Sequence, residues 1–291
     1  MTEITKKDLV YSLRELTLSL KKEWKNLSKK SGMITRDEIV GFRDGALMPT
    51  LEKITLLGGN AIRLDKQVDF VEALKLLASI YEMAGQVDRF GLHGEEEHLT
   101  WTLPSKLAFE HVYILGGLSI QEKNISALSS ILEYNIEYPN KYPYENAAGR
   151  SVLLIEHPFF SSESSEGNLR TYFDHSKKIV TENKIFFEWF DKDTEKATDA
   201  LVHFDFVRCF YLRVDNKSDW VYYNFRRYYT FRVMPMIRRL VTNPEYRKIF
   251  GSNIKSNLIS FLDEVDKRRS DMFEGWGFGS WRDMPELGLK E

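Results

Sequence analysis

The sequence predicts an all-α protein, a helical-repeat (α-solenoid-like) array of antiparallel helix pairs. Two observations carry that expectation. Apolar residues recur at three- and four-residue steps from Leu9 to Val265, with almost no alternating stretch. A segment also occurs twice: Ile54–Ile62 reads ITLLGGNAI and Val112–Ile120 reads VYILGGLSI. In each copy an apolar run reaches a Gly-Gly pair, a short polar stretch follows, and a second apolar run begins at Val68 or Ile125. Fixed-period helix pairs of this kind stack into solenoids, whose usual work is binding other macromolecules.

Leu9, Leu13, Leu16, Leu20, Trp24 and Leu27 mark an amphipathic first helix, broken at Lys29-Lys30-Ser31-Gly32. Thr35 with Glu38 three residues on forms a capping box for the second helix. Pro49 either ends that helix or opens the next. The first Gly-Gly helix is expected over Pro49 to Arg63. Its partner is expected over Gln67 to Phe90, with Phe70, Val71, Leu74, Leu77, Ile80, Tyr81 and Met83 as the buried stripe. HGEEEH reads as a polar loop, and Pro104 suits the first turn of the next helix, which ends at Gly116-Gly117. Asn124 to Glu137 is its expected partner helix. Glycine near a helix end is a common cap, and that alone could explain the shared pairs.

Residues 138–167, with Pro139, Pro143, Pro158 and the stretch SSESSEG, read as a loop or linker between an N-terminal helical region (1–137) and a C-terminal one (168–291). Ser151–Ile155 within it is either a strand or a short helix. Helices are then expected over Asn168–Thr181, over Asp191–Val214 as the longest, and over Trp220–Thr242 with Pro235 kinking or splitting it. Asn243-Pro244 opens a short helix ending at Gly251, and Asn257–Arg269 forms the last. The C-terminal GWGFGSW carries Trp276, Phe278 and Trp281. They either fold back as an anchor or bind a partner.

The chain has 291 residues, 43% of them hydrophobic and 13% aromatic, enough to build a substantial core. A net charge of −2 with both signs mixed gives no overall attraction to nucleic acid or anionic membrane. The single cysteine, Cys209, excludes an intrachain disulfide and fits a reducing compartment. The first residues lack the uninterrupted apolar core of a signal peptide, and no apolar run approaches the roughly 20 residues of a membrane-spanning helix. The expectation is a cytoplasmic protein with no membrane association.

His93 and His98 flank Glu95, Glu96 and Glu97, but histidines five apart leave one helix face, so a solvated loop is favoured over a metal site. Asp205 and Cys209 share a helix face, whereas His203 does not, so Cys209 reads as a small core residue rather than a nucleophile. Asp205 lies between Phe204 and Phe206. A carboxylate buried there needs a cation, from Arg208, Arg226 or Arg227. Tyr222–Arg239 interleaves aromatics with five arginines. Arg226, Arg227, Arg232, Arg238 and Arg239 with Tyr228 and Tyr229 form a candidate nucleic-acid or anion-binding set, against the plainer reading of an amphipathic core helix. No phosphate-binding glycine loop, nucleophile elbow, CxxC or HExxH occurs, so no catalytic residue, metal or cofactor is expected.

ALVHFDFVRC (Ala200–Cys209), the run from Tyr223 to Gly251, and LGGLSI (Leu115–Ile120) resemble the helical C-terminal region of bacterial AlbA-type (Schlafen-related) ATP-binding and anti-phage proteins. The resemblance covers about half the chain, lacks the ATP-binding portion and carries over no catalytic residue. It implies a stand-alone helical subunit working with a separately encoded effector. The expected function is therefore a non-catalytic protein-binding or regulatory subunit of a bacterial assembly, in antiviral defence, with self-association into a homo-oligomer also open. The alternatives are a nucleic-acid-binding module built on the arginine set, and an enzyme with an unrecognised site.

Overall fold

The computed structural model describes residues 6–28, 35–83, 95–137, 151–156, 179, 183–214, 232–272, 281–283, 287 and 289. The described residues are mostly helical, as the periodicity predicts. Their one sheet is an antiparallel pair, β1 (Asn135–Glu137) with β2 (Ser151–Leu153), registered Ile136 opposite Val152. The partner helix expected over Asn124–Glu137 is therefore shorter. It ends at Leu132, and Asn135-Ile136-Glu137 gives its backbone bonds to β2 instead. Ser151–Ile155 combines both readings, a strand and then a 3-10 turn over Leu154–Glu156. Contacts cluster into two units, Met1–Leu115 with Glu133–Leu154, and Gly116–Leu132 with Ile155–Glu291. One division, between Leu115 and Gly116, falls inside a helix, and most of the expected linker at 138–167 lies outside the described residues.

In the first unit, α1 (Lys6–Ser28) buries Leu13, Thr17, Leu20 and Trp24. Trp24 stacks obliquely on Phe42 at 5.1 Å and donates its indole N–H to the Met83 carbonyl at 3.2 Å. Thr35 and Glu38 cap α2 (Arg36–Phe42) reciprocally, as the spacing predicts. α2 does not stop at Pro49. A π-turn over Arg43–Leu47 leads with αR backbone into α3 (Met48–Arg63). Proline has no N–H to give, and the wider turn before it takes up the missing bond. α4 (Gln67–Tyr81) returns along α3 and buries Phe70, Leu74, Leu77, Ile80 and Tyr81. Arg14 of α1 pairs with Glu72 of α4, so α1 and α4 run parallel.

The longest described helix is α5 (Glu95–Gln121), not the one expected from Asp191. It begins inside the expected HGEEEH loop and runs through Pro104. From His111 to Ile120 both its apolar and its polar side chains are buried, and that packing outweighs the one lost ladder bond. α6 (Ile125–Leu132) follows, capped by the Asn124 side chain on the Ala127 N–H at 3.0 Å.

The glycine pairs correct the repeat expectation. Both lie inside their helices, and neither pair has positive φ. The helix ends are made by other residues, Asp65 (φ 52°) and Lys123 (φ 57°), each the left-handed residue of a Schellman motif. Lys66 N–H reaches the Ala61 carbonyl and Asp65 N–H the Ile62 carbonyl. Fifty-eight positions on, Asn124 reaches Ser119 and Lys123 reaches Ile120. The glycines serve close packing instead. Gly58 faces Leu115 and Ala73, whereas Gly116 faces the Phe204 ring and Gly117 the Ala200 backbone. The turn geometry thus recurs, while each copy packs on different neighbours.

In the second unit, α7 (Lys184–Phe187) and a 3-10 turn lead through Asp191 and Lys192, both left-handed, to α8 (Thr194–Val214). Asp193 caps α8 on the N–H groups of Glu195 and Lys196. α9 (Met234–Thr242) has Pro235 in its first turn, so the proline opens the helix rather than kinking it. α10 (Arg247–Phe250) ends at Gly251 (φ 77°), and α11 (Ile254–Met272) closes the set. α8 is enclosed on all sides from Ala200 to Leu212. Phe210 stacks on Phe250 at 4.8 Å, and Phe206 meets Phe261 edge-on at 5.9 Å. The expected helix over 168–181, and the part of the expected Trp220–Thr242 helix that precedes Arg232, fall almost wholly outside the described residues.

Candidate functional site

The candidate anion-binding set divides sharply. Arg226, Arg227, Tyr228 and Tyr229 lie outside the described residues, as do Trp276 and Phe278. The rest of the set is engaged within the chain. Glu195, Asp199 and His203 stand at four-residue steps on α8 and so form one stripe. That stripe holds Arg232 at both ends. The guanidinium reaches Asp199 Oδ1 at 2.6 Å and Glu195 Oε2 at 2.5 Å, and His203 Nε2 lies 2.6 Å from the Arg232 carbonyl oxygen. A carbonyl only accepts, so His203 carries its proton on Nε2 in this bond. Burial pushes the His203 pKa down, which keeps the ring neutral, although the carbonyl bond and Asp199 oppose the shift. Arg232 is therefore a neutralised anchor at the entry to α9 rather than a bare cation.

Arg239, half-buried on α9, donates to the Ile120 carbonyl at 3.1 Å. Ile120 lies in the last turn of α5, where carbonyls lack helical partners and the helix dipole attracts a cation. Arg239 acts there as a cap. Arg238 points outward on α9. Trp281 folds back, which was one of the two readings of the C-terminal aromatics. It is 3% exposed, donates its indole N–H to Asp263 Oδ1 at 2.8 Å, and has Arg282 stacked 4.8 Å over its ring.

Asp205 is buried in an ion pair, as its setting predicts, with Arg208 of its own helix as partner. Arg208 Nε and Nη2 both reach Asp205 Oδ1, at 3.0 and 2.9 Å, and its Nη1 donates to the Ile155 carbonyl at 2.8 Å. The triad satisfies a charge pair inside an apolar helix and ties the 3-10 turn after β2 to α8. Next to it, burial pushes the Cys209 thiol well above its ordinary range, and the Asp205 charge adds to the shift. The nucleophile is the thiolate, so this sulfur is chemically quiet.

The first unit has one buried polar pair of note, Thr55 Oγ1 to His111 Nδ1 at 2.9 Å. Burial lowers the His111 pKa to about 3, so the ring is neutral. Among the described residues no three His, Cys, Asp or Glu side chains converge as a metal site, and none of the helices is long and apolar enough to cross a membrane.

Sequence reasoning missed the surface of the first unit. Tyr11 and Leu18 are 65% and 59% exposed on α1, and Leu64 and Val68 are 63% and 77% exposed at the α3–α4 turn. The signal was present: Tyr11 and Leu18 stand seven apart, on the face opposite the leucine stripe. The Glu195–Asp199–His203 spacing was equally legible as a polar stripe on an otherwise apolar helix. Compared with known proteins, the chain matches no family model, no curated sequence and no solved structure.

Proposed function

We propose that this chain is a non-catalytic protein-binding or regulatory subunit of a bacterial assembly. The observation that carries the reading is the outer face of α1. Tyr11 and Leu18 lie two turns apart there, framed by exposed Asp8, Glu15, Lys22 and Lys25. A seven-residue apolar step edged by both charge signs is the pattern that a second helix or a groove reads. Exposed large apolar residues cost solubility, and clustered on one face they mark contact surfaces. The resemblance to AlbA-type (Schlafen-related) anti-phage proteins supports a defence setting with a separately encoded effector as partner. The solenoid-like stacking of helix pairs belongs to the same proposal, supported by the recurring turns at Asp65 and Lys123.

The test is affinity capture from the native host with the wild type and a Tyr11→Ser/Leu18→Glu double variant. A partner retained by the wild type and lost by a variant with an unchanged circular dichroism spectrum supports the proposal. Equal capture by both, or none by either, overturns it. Salt-dependent binding of nucleic acid that vanishes in Arg226→Ala/Arg227→Ala would replace it with the alternative reading.

A further inference from the structure

We propose that the α3–α4 turn is a self-association surface, with a second copy of this chain as its partner. The α5–α6 turn serves as an internal control. Both turns share the Schellman bonds and the left-handed residue, and the positions of Leu64, Asp65 and Val68 are exposed in each. Where the α3–α4 turn exposes Leu64 and Val68, the α5–α6 turn exposes Glu122 and Ser126. This turn geometry therefore does not require apolar residues at those two places.

Leu9 extends the patch. The Arg14–Glu72 pair and the Trp24–Met83 bond set α1 parallel to α4, so the first turns of both helices stand level. Leu9 is exposed in that first turn of α1.

The charges around the patch select the occupant. Asp65 is exposed between Arg63 and Lys66 in the turn, and Asp8 is exposed in the first turn of α1, two charges of each sign. A strongly acidic or basic partner would meet as much repulsion as attraction. A second copy related by a two-fold axis brings Leu64 and Val68 onto their own counterparts and sets each Lys66 toward the other Asp65. An isologous contact needs that self-complementarity. A patch of three apolar side chains makes a weak, concentration-dependent dimer.

The test is sedimentation equilibrium from micromolar to sub-millimolar protein. The wild type should show reversible dimerisation. Leu64→Glu and Val68→Ser, which copy the other turn's residues, should each weaken the dimer about tenfold or more with an unchanged circular dichroism spectrum. Ser126→Ala should leave it intact. Asp65→Lys, a residue that Lys123 shows the turn accepts, and Lys66→Asp should each weaken the dimer, and the two together should restore it. A wild type that stays monomeric throughout, a Leu64→Glu variant that dimerises like the wild type, or a failed charge-swap rescue overturns the inference. The outcomes are separable from the proposed function. A monomer that still captures a partner through Tyr11 and Leu18 sinks only self-association, and a dimer that captures nothing sinks only the partner reading.

Discussion

In the first unit several large apolar residues, Leu9, Tyr11, Leu18, Val40, Leu64 and Val68, are in contact with water. In the second, α8 is enclosed on every side, and no described large apolar residue is exposed. An enclosed helix cannot leave a polar group to solvent, so Asp205, Arg208 and His203 each find a partner within the unit. The second unit thereby uses up much of its described chemistry internally, while the first leaves adhesive surface outside. The difference teaches where to look for function. A string of arginines and aromatics in the sequence drew attention to the second unit. Of the described arginines of that string, Arg232 serves as an anchor and Arg239 as a helix cap.

The strongest test of that contrast removes Asp205. Asp205→Ala leaves the Arg208 guanidinium inside an apolar helix without its carboxylate, and should cost about 3–5 kcal/mol in urea unfolding. A loss below about 1 kcal/mol would mean that Arg208 reaches water once released, and that the second unit is looser than described. Glu195→Ala, at the exposed end of the Arg232 anchor, should cost less than about 1 kcal/mol because solvent screens that pair.

The glycines sharpen the comparison at equivalent positions. A Cβ on Gly116 would sit far inside contact distance of the Phe204 ring, which is fixed by its own burial, so Gly116→Ala should destabilise by about 1–3 kcal/mol. On Gly58 the nearest atoms are methyls, at 3.0 Å from Leu115 and 3.2 Å from Ala73. Small shifts of the Leu115 methyls, together with the roughly 1 kcal/mol by which alanine favours a helix over glycine, should leave Gly58→Ala near neutral. Equal losses in the two variants would show that the two copies pack alike after all.

Acid should weaken the fold through its buried histidines. The folded pKa of His111 is depressed to about 3, below its ordinary value, so the unfolded chain binds the proton first. Its contribution is fully present above about pH 6.5 and is lost as pH falls toward 3, on the order of 1 kcal/mol by pH 5.5. His203 is shifted in the same direction. His111→Asn, which keeps a polar atom near Thr55 but cannot titrate, should narrow the melting-temperature difference between pH 7.5 and 5.5. An unchanged difference would mean that His111 is hydrated in solution.

Local rules in the sequence were reliable where one residue decides the matter. The Thr35–Glu38 box, the Asn243-Pro244 start, the Gly251 stop and the buried charge at Asp205 are all read from single side chains with fixed preferences. The failures share another cause. Pro104 sits inside α5 because burial of the following turns outweighs one missing bond, and Asn135–Glu137 pairs as a strand because β2 arrives from farther along the chain. The glycine pairs misled most. Their usual role as helix stops hid their use as contact points for Leu115 and Phe204, which depends on neighbours 57 and 88 positions away.

The smallest expected effect bears on whether the two turns are one device used twice. Asp65 and Lys123 both hold positive φ, which costs a residue with a Cβ about 1–2 kcal/mol relative to right-handed backbone. Glycine removes that strain but gains freedom in the unfolded chain worth about 0.5–1 kcal/mol. Asp65→Gly and Lys123→Gly should therefore each stabilise by about 0.5–1 kcal/mol, and by nearly the same amount. Equality is the informative part, because the side chains differ in charge and length while the backbone bonds are the same. If only one variant gains, its side chain holds a contact that the backbone pattern does not explain, and the two turns are alike in shape alone.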